Sequence, residues 1–259
     1  MSSYKLNVEG NGDCLAIMKS DNKKMSKKFQ PMICIGEGSL NKMEDVKLNA
    51  SEHFELIPNI NKERDVLYVI GQSGSGKSYF VSQYGKNYKS FYPKNSIYVF
   101  STLNEDKDGI DRIGKINRIK LDDEFVDGEV IDTKEFEKSL IIFDDIDNIS
   151  SKKIKDCVFK YLNNFLQTGR HYKISLCITY HIGCSGHATR MILNECTSIT
   201  YFGATIGGKN LKYLLDSYLG LDKKAIEKIK KLESRAITIM KTYPKVVVSE
   251  KEMYILRND

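Results

Sequence analysis

The chain has 259 residues, 41% of them apolar and 29% charged, with 40 Lys and Arg against 34 Asp and Glu for a formal charge of +6. That length suits one substantial core, or a core with a small appendage, and the composition is ordinary for a globular protein. No apolar run approaches the roughly 20 residues that cross a bilayer, and MSSYKLNVEG at the start lacks a secretory apolar stretch, so a soluble intracellular protein with no membrane span is expected.

In that setting Cys14, Cys34, Cys157, Cys177, Cys184 and Cys196 are expected as reduced thiols. Lysines cluster at Lys23, Lys24, Lys27 and Lys28, and again at Lys223, Lys224, Lys228, Lys230 and Lys231. Such clusters suit a polyanion, but a solvated lysine-rich surface is the plainer reading, so charge permits nucleic acid without arguing for it.

Residues 1–60 are expected as an N-terminal extension with little regular structure, apart from a short strand at 31–35 (PMICI) closed by Gly36 and Gly38. Residues 61–259 are expected as one domain. Val66 to Ile70 (VLYVI) has the unbroken apolar character of a strand buried on both faces, and it runs through a glycine-rich turn into a helix from about Lys77 to Tyr84. Ile97 to Phe100 forms a second strand, and residues 103–138 are charged and poorly periodic. Leu140 to Phe143 (LIIF) is a third strand, and Ile154, Val158, Tyr161, Leu162 and Phe165 then fall at helical spacing before Gly169. Ile174 to Ile178 and Ser198 to Phe202 are further strands. Short helices at about 209–217 and 222–232 lead to a β-hairpin from Ala236–Met240 and Val246–Val248. Strands alternating with helices predict a mostly parallel α/β sheet with right-handed crossovers.

The chemistry concentrates at two places. Gly71-Gln72-Ser73-Gly74-Ser75-Gly76-Lys77-Ser78 matches G-x-x-x-x-G-K-[ST] between a strand and a helix, the context this phosphate loop requires. Its amides would cradle the phosphates of ATP, Lys77 would bridge the β- and γ-phosphates, and Ser78 would give its hydroxyl to Mg²⁺. The buried strand LIIF delivers Asp144 and Asp145 at its C-terminal end, where ligands bind in open α/β sheets. Asp144 is the expected magnesium ligand and Asp145 the group that orients or deprotonates the attacking water. Arg170, in Gly169-Arg170-His171, could reach a neighbouring subunit's γ-phosphate or be an ordinary capping arginine. Thr179, at the end of the fourth strand, is either a γ-phosphate sensor or a plain strand end. His181, Cys184 and His187 form H-x-x-C-x-x-H, whose spacing fits no standard zinc framework, so a loop over the site is expected instead.

GQSGSGKS (71–78), LIIFDD (140–145), FLQTGRH (165–171), SLCITYH (175–181) and RMILNECTSITYF (190–202) together resemble the genome-packaging ATPases of large eukaryotic DNA viruses, the poxvirus-like branch of the FtsK/HerA superfamily. The resemblance spans residues 65–203. It implies a three-layer P-loop NTPase with an additional strand between the phosphate-loop and Walker B strands. It also implies a homo-oligomeric ring of about five or six subunits moving double-stranded DNA into a preformed capsid, with a capsid or portal partner, in the host cytoplasm or with the virion. It favours Arg170 as the residue acting in trans, with Arg190 as the weaker candidate. The chain departs from relatives that carry glutamine near the end of the fourth strand, where it has Ile178 and Thr179.

Overall fold

The computed structural model describes residues 3–21, 30–37, 43–203 and 206–257, so Lys23, Lys24, Lys27, Lys28 and Gly38 lie outside the described residues. Contacts divide the chain into two units, Met1–Lys62 with Thr197–Asp259, and Glu63–Cys196.

The first unit begins with Lys5–Asn7 (β1), Asp13–Ser20 (β2), Met32–Gly36 (β3), Asp45–Lys47 (β4) and Glu52–Leu56 (β5). β1, β3, β2 and β5 pair antiparallel, in that order, as a four-stranded sheet. This corrects the expectation of an extension with little regular structure, while the strand expected at PMICI is present as β3. In β2 Cys14 to Ile17 are buried in succession rather than in alternation, so the strand shows no period of two, and its partners lie tens of residues away (Ala16 opposite Leu56). Cys14 and Cys34 stand opposite one another in the β2–β3 register and form a disulfide, which corrects the expectation of free thiols at these two positions.

The second unit runs through Val66–Ile70 (β6), Lys77–Phe91 (α1), Ile97–Ser101 (β7), Asn117–Lys120 (β8), Asp123–Asp127 (α2), Leu140–Phe143 (β9), Lys152–Thr168 (α3), Ser175–Tyr180 (β10) and His187–Glu195 (α4). Its sheet has the order β6-β10-β9-β7-β8, and every neighbouring pair is parallel. The additional strand expected between the phosphate-loop and Asp144 strands is therefore β10, while β7 lies beyond β9. Parallel neighbours need crossovers; α1 follows β6 and α3 joins β9 to β10, and β6, β9 and β10 are buried along their whole lengths. The apolar face of α3 covers β7 and β9: Phe100 stacks on Phe143 at 4.9 Å, and Phe165 sits edge-on to Phe136 at 5.1 Å.

The chain ends in the first unit with Ser198–Phe202 (β11), Gly208–Lys212 (α5), a π-helical turn Tyr213–Tyr218, Lys223–Lys230 (α6), Ala236–Met240 (β12), Val246–Val248 (β13) and Glu252–Ile255 (β14). The expected hairpin is β12–β13, with Thr238 opposite Val248, and it grows into an antiparallel series β11-β12-β13-β14-β4. Among the described residues no helix is long and apolar enough to cross a membrane.

Arg64 locks the C-terminus of α3. Its guanidinium donates to Leu166 O at 3.2 Å near the helix end, to Ile174 O at 2.9 Å beyond it, and to Phe165 O at 2.7 Å, which also accepts from Gly169 N at 3.0 Å. Arg64→Ala is expected to cost about 1–3 kcal/mol by withdrawing this donor from Leu166 O and Ile174 O, measured as a lower urea midpoint at unchanged m-value. A midpoint equal to that of the unmodified chain would show that water replaces the guanidinium at no cost.

Candidate nucleotide site

The loop after β6 bends by virtue of its glycines. Gly74 and Gly76 have φ of 74° and 110°, a region that side-chain-bearing residues rarely enter, and Gly76 stands directly before α1. Gly71 N donates to Tyr180 O at 3.0 Å, which ties the loop's start to the end of β10. The first turn of α1 carries no acidic residue and no side-chain cap, so the positive end of the helix is left for an anion. Lys77 is 4% exposed, and its Nζ donates to Gly71 O at 2.8 Å and lies 3.3 Å from Asp145 Oδ1. Glycine turn and acidic strand end, about 70 residues apart in sequence, thus meet at one ion pair.

The acidic end of β9 is held by its neighbours on both sides. Asp144 N donates to Phe100 O at 2.9 Å, and Asp144 Oδ2 accepts from Ser101 Oγ at 2.9 Å, both across from β7. Asp145 has φ 44° and ψ 41°, a left-handed conformation that costs a non-glycine residue of order 1–3 kcal/mol. Thr179, fully buried at the end of β10, holds it there: its hydroxyl accepts from Asp145 N at 2.7 Å and lies 3.0 Å from Asp145 Oδ1 and 3.4 Å from Asp144 Oδ1. The sequence candidate Thr179 therefore lies against both carboxylates.

Two residues that sequence reasoning left out of the site join it here. His181 N donates to Asp147 Oδ2 at 2.9 Å, and its Nδ1 is 3.1 Å from Asp147 Oδ1, while Nε2 lies 3.5 Å from Asp145 Oδ2. Asp147 is legible in sequence only as the third acid of Asp144-Asp145-Ile146-Asp147, and His181 only as part of a loop expected over the site. Ser101, the last residue of β7, is a third addition, through its hydrogen bond to Asp144. His181 gathers with Asp145 and Asp147, whose potential ligand atoms lie within 4.8 Å of one another. Cys184 is not part of that group, and burial pushes its thiol up to about 11. The side chain of His187 lies outside the described residues.

Burial, reinforced by the charge of Asp145, pushes the Asp144 carboxyl up to about 6, while the Ser101 hydrogen bond opposes that rise. A 7%-exposed carboxylate beside a second acid is a group that a divalent cation would stabilise, and the oxygen donors Asp144 and Ser78 suit magnesium. In the metal-free chain the unfolded state releases this proton first, so the contribution of Asp144 to stability is highest below about pH 4 and falls by up to about 3 kcal/mol as pH rises through about 6. Asp144→Asn is expected to remove that fall, raising the Tm in EDTA at pH 8 while leaving it nearly unchanged at pH 4. Equal Tm values for the two chains at pH 8 would contradict the assigned burial cost.

Arg170 is not brought into this cluster. It is exposed in the turn that follows α3 and enters none of the ion pairs among the described residues. Arg190, on α4, is also exposed.

Fold and site together define a P-loop NTPase with a strand inserted between its phosphate-loop and acidic strands. The chain is 40% identical over 189 residues to "Uncharacterized protein V3" of Sputnik virophage, a match covering 72% of this chain and 75% of that protein, and it belongs to the same family. No family model matches the chain. Among solved structures, the pCW3 conjugation coupling protein TcpA with ATPγS is similar at a TM-score of 0.50 and 13% identity, covering 92% of this chain and 77% of that one. The genome-packaging NTPase B204 of Sulfolobus turreted icosahedral virus 2 with ATPγS is similar at a TM-score of 0.49 and 17% identity, covering 75% and 99%.

Proposed function

We propose that the chain is a magnesium-dependent ATP hydrolase that works as a ring and moves double-stranded viral DNA into a preformed capsid. The observation that carries the hydrolase part is the meeting of Lys77 with Asp145 beside the glycine turn. Loop amides from Gly71 to Ser78 and the Lys77 ammonium bind the phosphates, and Ser78 and Asp144 would hold Mg²⁺, which neutralises phosphate charge when bound. Asp145 orients the attacking water and takes its proton on a carboxylate oxygen. Thr179 fixes Asp145 from below, and the Asp147–His181 pair braces its other oxygen. TcpA carries ATPγS on this fold, which agrees with ATP as the nucleotide.

The DNA-packaging part rests on the motif resemblance, chiefly FLQTGRH and SLCITYH, and on membership in a family with a virophage member. It places the protein at virus assembly in the host cytoplasm or with the virion, beside a capsid or portal protein. The test is steady-state phosphate release with and without linear blunt duplex, with oligomer mass recorded in the same buffer. Duplex-stimulated turnover by a ring of about five or six subunits, without strand separation, is expected. Strand displacement would instead indicate a helicase, stimulation by protein but not by duplex a remodeller, and single-turnover release an assembly switch.

A further inference from the structure

Tyr79 follows Ser78 directly and stands in the first turn of α1. Side chains on a helix lean toward its N-terminus, so this ring leans back over the loop assigned to the phosphates. It is nevertheless 51% exposed, a large aromatic surface left to water one residue after the phosphate-loop motif. Its packing partner is a cation from another element: the Arg112 guanidinium lies 5.4 Å from the ring centroid. Arg112 is one of only seven arginines among 40 basic residues, and its planar guanidinium suits stacking where an ammonium does not.

The segment carrying Arg112 is rigid and fastened to α1. It forms a 3-10 turn, Ile110–Ile113, whose start is fixed by Ile110 N donating to Asp106 Oδ2 at 2.9 Å, and Asp111 pairs with Arg118 on β8. Ile113 lies against bare backbone at Gly85, where an added Cβ would stand 2.5 Å from Ile113 Cδ1. Glycine at position 85 is thus what lets the turn approach α1 and bring Arg112 to Tyr79.

We infer that Tyr79 and Arg112 form the subsite for the base of the nucleotide, with the base stacked on the Tyr79 ring and Arg112 steadying that ring. The inference rests on the reading of Gly71–Ser78 as the phosphate site. Stacking needs only a π-face, so the subsite favours a nucleoside triphosphate over inorganic triphosphate without demanding one base edge.

The test is calorimetric binding of MgATP and of magnesium tripolyphosphate, which has no base, with turnover measured on the same samples. Tyr79→Ala is expected to weaken ATP binding about tenfold and to leave tripolyphosphate binding within about twofold. Tyr79→Phe is expected to bind ATP as the unmodified chain does, because the ring and not the hydroxyl carries the contact. Arg112→Ala is expected to weaken ATP alone, by about threefold. Unchanged ATP binding in Tyr79→Ala, or an equal loss for both probes, would overturn the subsite. ATP bound more tightly than tripolyphosphate but never hydrolysed would overturn the hydrolase reading and leave the subsite standing. An unmodified chain that binds neither probe would overturn both.

Discussion

Lys77→Ala is expected to reduce ATP turnover by about 10²–10³-fold or more, the loss that follows removal of one preorganised donor from a developing phosphate charge. The side chain is buried and has three anchors, Gly71 O, Gln72 O and Asp145. Its removal withdraws the cation that joins the phosphate loop to the acidic strand end. The fold itself does not depend on it, since Gly71 N to Tyr180 O and the β6–β10 ladder hold the loop's root. The variant is therefore expected to keep a cooperative thermal transition while losing phosphate release. Turnover equal to that of the unmodified chain would remove the site assignment, whatever the fate of the packaging proposal.

Arg170→Ala is expected to lower turnover by about 10³-fold while ATP still binds, because the side chain would act on the transition state of a neighbouring subunit's nucleotide. The arginine is exposed, and its turn is braced by Arg64 rather than by its own side chain, so the substitution should leave the Tm unchanged. The decisive measurement mixes Arg170→Ala with Asp145→Ala. A mixed ring contains interfaces with one intact Asp145 and one intact arginine, so part of the activity should return. Mixed rings without any recovery would assign Arg170 an ordinary surface role and turn attention to Arg190 on α4.

The parts of the fold and site that can be read from residues are those built by local order. VLYVI, LIIF and SLCITY are apolar runs bounded by turns, and the glycine loop is one contiguous octapeptide whose chemistry follows from spacing. Their strands appear within a residue or two of the expected bounds. Apart from β3, residues 5–56 defied the same reading because these strands are stabilised by partners remote in the chain, up to Asp45 opposite Tyr254. A three-residue strand has too few alternations to declare itself, and only its ladder partner decides whether it forms.

The sequence by itself determined the glycine-loop motif of Gly71–Ser78 between a strand and a helix, the delivery of Asp144 and Asp145 by a buried strand, and the α/β class. Tertiary structure alone decided that β10 is the strand inserted beside β6, which places Thr179 and His181 against the acids of β9. It alone added Ser101, Asp147 and Arg112 to the reckoning. The physical reason is that strand order in a parallel sheet is set by crossovers and side-chain packing between distant segments, and such neighbours leave no periodic trace in the sequence.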